Sequence, residues 1–206
     1  MNLLREYIRE LLAEGMKTVV DLPDGFVVVI KSVGPGYYSV YYGKQDDQSR
    51  RVLNSVRAEG GPWGQVTFGK PMRRHGHCDG AMRVGNAAAN PGWGPLLYDV
   101  AIEYATQVAN GLISDRDSVS PDARNVWRYY MDNRSDVTAH QLDDLRDTLT
   151  PEQEDNCDQR VATYDTTEAL PANVDWVKSP LSKRYTAPPK TIGALSAAGK
   201  LVELES

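Results

Sequence analysis

The stretch richest in potential chemistry is VGNAAANPGWGPLLYDVAIEYA, Val84 to Ala105. Small residues lead into the turn Asn90-Pro91-Gly92-Trp93-Gly94-Pro95, and an apolar helix pattern follows. The first N–H groups of a helix lack partners inside it and sit at the positive end of its dipole, so a glycine turn there can hold a phosphate. Gly92 and Gly94 supply backbone access, whereas Pro95 has no N–H to offer. Pro-Gly and Gly-Pro are also ordinary turn punctuation, and a helix with proline at its first position needs no ligand.

A second cluster is HGHCDG, His75 to Gly80. On a strand, His75 and His77 share a side next to Cys78 and Asp79, all types that ligate metals. No second cluster with ligand spacing accompanies it, because His140 and Cys157 are far along the chain. The stretch therefore reads as the exposed start of a strand with a half-buried cysteine, and no metal is assigned. In YYSVYY, Tyr37, Ser39 and Tyr41 face one way and Tyr38, Val40 and Tyr42 the other, which suits core plus wet surface better than a substrate cage.

These residues sit in a chain of 206 residues with net charge -5. That length supports one good core, and the charge lacks the cationic footprint of a nucleic-acid binder. No apolar run approaches the roughly 18 residues needed to span a bilayer. Two cysteines are too few for a disulfide framework, so a reducing, intracellular setting is the simplest expectation.

The elements follow from periodicity. KTVVDL and FVVVIKSV around PDG read as a hairpin, YYSVYYG as a third strand after GPG, then QVTFG and GAMRVGNAAA as strands. The helix after the turn has Leu96, Leu97, Val100, Ala101, Tyr104 and Ala105 on one face. GLISDR reads as a short strand, and SPDARNVWRYYMDN as a helix with Ser120 as N-cap and Pro121 at its first position. Past Asp136 the chain turns acidic and helical in pieces, LDDLRD and PEQED reading as solvated faces. From Tyr164 a Pro-, Ser- and Thr-rich stretch reads as an extended arm, closed by a weak helix over TIGALSAAGKLVEL. The division expected is a leader helix over 1–16, a domain over 17–136 and an acidic segment with a C-terminal arm over 137–206.

The order of strands, glycine turn, helix, strand and second helix from Thr18 to Asn133 resembles the GNAT family of acyl-CoA-dependent N-acetyltransferases. The resemblance implies an α/β (α+β) fold with a mixed, mainly antiparallel central sheet flanked by helices. It implies acetyl-CoA held by the strand edge at Ala87 and Ala89 and by the turn at Gly92, Trp93, Gly94 and Leu96. The acceptor is then an amine on a protein or small molecule. Catalytic candidates are Asp79, His77 or Asp115 as a general base, and Tyr130 as the nearby phenol. This sequence departs from the family pattern at Ala89, where Arg or Gln is usual, at Pro95, and at Trp127, where the family often has the tyrosine that protonates the leaving thiolate.

MNLLREYIRELLAEG places Leu3, Leu4, Tyr7, Ile8, Leu11 and Leu12 on one helical face. It resembles the capsid-targeting leaders of internal head proteins in T4-like tailed phages, with Leu12-Ala13-Glu14 fitting a cut before Gly15. That resemblance implies phage scaffold or head proteins as partners, and a location in the cytoplasm of the infected bacterium or inside the virion. The other reading is a helix packed on its own domain.

Overall fold

β-branched and aromatic residues at period two build the first hairpin, β1 (Phe26–Gly34) against β2 (Tyr37–Gln45), in antiparallel register from Phe26↔Lys44 to Gly34↔Tyr37. Their turn is the GPG at residues 34–36, one turn later than the PDG expected from sequence. KTVVDL forms no strand. Asp21 accepts from the amide and hydroxyl of Thr18, at 2.8 and 2.9 Å, and closes a 3-10 turn at Val19–Asp21. That local cap competes with strand pairing and leaves Val20 90% exposed. The computed structural model describes residues 15–45, 52–55, 57, 59–163 and 175–205, so the leader and the cut after Glu14 lie outside the described residues.

The remaining strands are β3 (Val52–Asn54), β4 (Gly64–Gly69), β5 (Met82–Ala89), β6 (Leu112–Ile113), β7 (Thr138–Gln141), β8 (Asp143–Asp144), β9 (Asn156–Cys157), β10 (Lys183–Thr186) and β11 (Leu201–Leu204). One sheet runs β11-β1-β2-β4-β5-β6-β10-β7, with β3 also on β2. Its pairs are antiparallel except β1 with β11 and β5 with β6. The fold is thus α+β with a mixed, mainly antiparallel sheet. β8 and β9 form a separate parallel pair.

Among the described residues four helices accompany the sheet: α1 (Gly94–Val108), α2 (Pro121–Asn133), α3 (Arg160–Thr163) and α4 (Lys190–Ala197). α1 buries Leu96, Leu97, Val100, Ala101 and Ala105 in the same core as Val40, Val66, Phe68 and Val84 of the strands. Each of the Leu, Val and Phe side chains contributes about 1.5–3 kcal/mol when fully buried. Ser120 caps α2 as its sequence predicts, accepting from Ala123 N at 3.2 Å. α4 begins at a proline with no side-chain cap of its own, and buried Glu103 of α1 does that work. Its two oxygens accept from Thr191 N and Ile192 N, each at 2.8 Å.

Three expectations for the second half give way. From residue 175 on, the described part of the expected arm is not a surface arm: β10 is an interior strand between β6 and β7, and β11 extends the sheet beyond β1. The sheet therefore crosses the boundary drawn at residue 136. The acidic stretch is solvated as expected, exposed from Leu145 to Glu154, but it forms no helix. Asp143 is 1% exposed, and its carboxylate gathers the amides of Asp144, Leu149 and Thr150 into one loop. Cys78 and Cys157 are joined in a disulfide across 79 residues, both wholly buried beside Ala81, Ile113 and Leu142. Two cysteines made no framework in the sequence, yet the fold brings them together. No helix among the described residues is long and apolar enough to cross a membrane.

Candidate functional site

β5 pairs with β4 along its length, down to Gly64↔Ala89, but with β6 only at Met82↔Leu112 and Arg83↔Ile113. Beyond Arg83 the two parallel strands part, because β6 ends at Ile113 and the chain turns into the loop before α2. From Val84 to Ala89 that edge of β5 has no strand partner among the described residues. A cleft of about 450 Å3 occupies the gap, walled by Ala87, Ala89, Gly92, Gly94, Tyr98 and Val126.

The turn at the end of this cleft is tied down by its own backbone. Asn90 N donates to Trp63 O and Trp93 N to Asn90 O, at 2.9 and 3.0 Å. Trp93 is buried: its indole N–H donates to Gly60 O at 3.1 Å, and its carbonyl accepts from Tyr42 Oη at 2.7 Å. Pro91 and Pro95 carry no N–H. The amides of Gly92, Gly94 and Leu96 have no acceptor among the described residues, so three donors remain at the positive end of α1.

Arg57 adds a cation that sequence reading missed. It stacks over the Trp63 ring at 4.8 Å and lines the cleft near the turn. Ala89, at the same end of the cleft, carries no charge, and Arg57 comes from a connection whose sequence shows no periodicity. The cofactor-binding candidates thus separate. Ala87, Ala89, Gly92 and Gly94 line the cleft, whereas the side chains of Trp93 and Leu96 point into the core, 3% and 2% exposed, leaving only backbone to serve a ligand.

The catalytic candidates are not gathered in one place. Asp79 pairs with Arg184 at 2.8 Å, and its carbonyl accepts from Asn110 beyond the C-terminal end of α1. The turn is at the other end of that 15-residue helix, about 22 Å away at 1.5 Å per residue. Asp115 lies where β5 and β6 part, in an ion pair with Arg83 at 3.0 Å. Tyr130 is close to the turn, but its hydroxyl donates to Asp99 Oδ1 at 2.7 Å and lies 3.1 Å from Pro95 O. Burial and the Asp99 charge hold that phenol well above its usual pKa. Trp127 is core, edge-on to Tyr98 at 5.5 Å.

Tyr98, unremarked in the sequence, is the phenol of the cleft wall. It is 4% exposed, and no hydrogen-bond partner for its hydroxyl is present among the described residues. Burial pushes its pKa up to about 12, which keeps the proton on the oxygen. Its helical offset from Leu97 and Ala101 could have marked it as lying at the border of the apolar face.

HGHCDG is not a strand. It folds as two 3-10 turns, Arg73–His75 and Cys78–Gly80, with the cysteine consumed in the disulfide. His75 is buried with Nε2 3.3 Å from Asp117, while His77 is exposed, so the two imidazoles do not converge.

On the other side of the turn, Lys17 N donates to Gly92 O at 2.9 Å, and Gly15, Met16, Tyr129 and Tyr130 enclose a smaller apolar pocket of about 330 Å3. Comparison with known proteins finds no matching family model, no matching curated protein and no matching solved structure.

Proposed function

We propose that the chain is a GNAT-like acyltransferase-fold protein that binds acetyl-CoA in the β5 cleft and passes the acetyl group to an amine. The observation that carries this reading is the parting of β5 from β6 after Arg83, which leaves a strand edge beside a cleft, with three amides that have no acceptor among the described residues at its end. Bound there, the thioester supplies an activated acyl group. The free edge at Ala87 and Ala89 offers N–H and C=O groups to an extended, amide-bearing chain. The amides of Gly92, Gly94 and Leu96, with Arg57 alongside, suit a pyrophosphate. Attack of a neutral amine on the thioester carbonyl would break the C–S bond, with Tyr98 on the cleft wall giving its hydroxyl proton to the leaving thiolate and the tyrosinate taking up the surplus proton of the acylated nitrogen.

A second reading, a catalytically silent phage protein of the same fold built into or packaged in the virion, is favoured by the ion pairs that occupy Asp79 and Asp115. With it go the leader as a docking peptide for scaffold or head proteins, and a place in the infected bacterial cytoplasm or the particle. Calorimetry with coenzyme A, followed by thiol release from acetyl-CoA with a panel of amines, separates the two. Binding that Arg57→Gln weakens about tenfold, with thiol release that Tyr98→Phe slows, is the enzyme's result. Binding without release selects the silent protein. No heat at millimolar coenzyme A overturns the cleft assignment itself.

A further inference from the structure

A third cavity, about 520 Å3, lies between the loop that leaves β6 and the start of α3. Three arginines line it: Arg116 from the loop, Arg124 from α2 and Arg160 from α3, with Val119 and Val161 as an apolar flank. Arg116 is 1% exposed, and its N–H groups go only to neutral oxygens. Nε donates to Ser114 O at 3.1 Å, and Nη1 to Asp158 O at 3.4 Å and Gln159 Oε1 at 3.3 Å. Nη2 donates to Ser114 Oγ at 2.5 Å and to Leu181 O at 2.6 Å.

No carboxylate among the described residues is within ion-pair distance of this buried cation. The two nearest in charge are already engaged. The Asp158 carboxylate contacts Arg160 at 2.5 Å and Arg146 at 3.7 Å, and that of Asp115 contacts Arg83 at 3.0 Å. The single acidic side chain on the cavity wall, Asp117, holds Arg74 at 2.8 Å, with Arg83 and His75 each at 3.3 Å. A guanidinium charge that is desolvated and not neutralised at contact distance raises the potential of the space beside it. In a chain of net charge -5, that is a local inversion of sign.

We propose that this cavity is a binding site for the oxyanion of a small molecule, a phosphate monoester or a carboxylate, with an apolar neighbouring group against Val119 and Val161. The site is distinct from the β5 cleft and does not rest on acyl transfer: the two share no lining residue, although both take wall from the loop before α2 and from α2 itself, Arg124 on the cavity and Ala123 and Val126 on the cleft.

The test is thermal unfolding of the full chain in sodium phosphate against sodium chloride of equal ionic strength. Phosphate raises the melting temperature in a saturable way, by about 3–6 °C at ten times the half-saturating concentration. Arg124→Gln removes the rise. Because that side chain is buried and its variant can lose stability on its own account, Arg160→Gln is read as well, with half-saturation expected to move up about tenfold. Arg57→Gln, at the coenzyme turn, leaves the response unchanged. Acetate in place of phosphate sorts carboxylate from phosphate recognition, and a rise with either keeps the proposal. The proposal is overturned if neither anion does more than chloride, if the rise survives both Arg124→Gln and Arg160→Gln, or if it is Arg57→Gln that abolishes it.

Discussion

Gly94 and Gly92 stand two residues apart in the same turn, and the structure separates what each can tolerate. A methyl at Gly94 would lie 3.7 Å from Ala89 Cβ, an ordinary contact in an unstrained backbone. Gly94→Leu should therefore fold, helped by about 0.5 kcal/mol from the reduced entropy of the unfolded chain, while its side chain fills the cleft beside Ala89. Gly92 has φ +81°, and a methyl there would meet Gly15 O at 2.2 Å. Gly92→Ala costs about 1–3 kcal/mol of backbone strain and about 1 kcal/mol for the Lys17 to Gly92 hydrogen bond it displaces. At about 2–4 °C per kcal/mol for a chain of this size, its melting temperature should fall by roughly 5–15 °C. The assay is scanning calorimetry for stability and titration with coenzyme A for binding. Gly94→Leu is expected to melt within about 2 °C of the parent and to give no binding heat. Coenzyme A binding at parental strength by Gly94→Leu would refute the cleft as its site. Melting of Gly94→Leu as low as Gly92→Ala would refute the geometry of the turn.

Two further outcomes test the frame around the site. The Cys78–Cys157 bond closes 79 residues, about 4.5 kcal/mol on the chain-entropy account, so the double variant Cys78→Ala, Cys157→Ala should melt about 9–18 °C lower; an unshifted transition in non-reducing buffer contradicts the bond. Asp136 is held down to about pKa 2, first by its hydrogen bonds from Arg134 and then by nearby charge, against 3.8 unfolded. Its contribution is present above about pH 4 and is lost as the pH falls toward 2, so urea unfolding of Asp136→Asn should show a flatter loss of stability over that interval than the parent.

How much of this was legible depended on the range of the interactions involved. α1, α2, β2, β4 and β5 are readable because local pattern and tertiary burial agree. Leu96 and Leu97 are buried where a 3.6-residue period puts them, and Ser120 caps where its type predicts. KTVVDL misled because a Thr18–Asp21 cap, visible as Thr-x-x-Asp, outcompeted two valines. β10 was hidden by its neighbours: KRYT has no alternation of its own and becomes a strand only between the edges of β6 and β7. At the site, backbone features were accessible to sequence reasoning, since Gly92 and Gly94 are punctuation with a mechanism. Side chains that arrive from distant segments were not. Arg57 reaches the turn from a connection with no pattern, and Asp79 and Asp115 found arginines that no spacing rule pairs with them.

The place of β10 also bears on how the protein is made. The strand next to β6 is supplied by residues 183–186, about 70 residues beyond the end of β6 at Ile113. Until they emerge from the ribosome, β6 and β7 have no strand joining them, and β1 has yet to receive β11 on its outer edge. A nascent chain therefore carries open hydrogen-bonding edges at β6 and β1 until residues 183–186 and 201–204 follow, the condition in which strands pair with the wrong neighbour. Synthesis of β10 is then the event that joins β7 to the rest of the sheet, and a chain stopped before residue 183 leaves β7 without its partner.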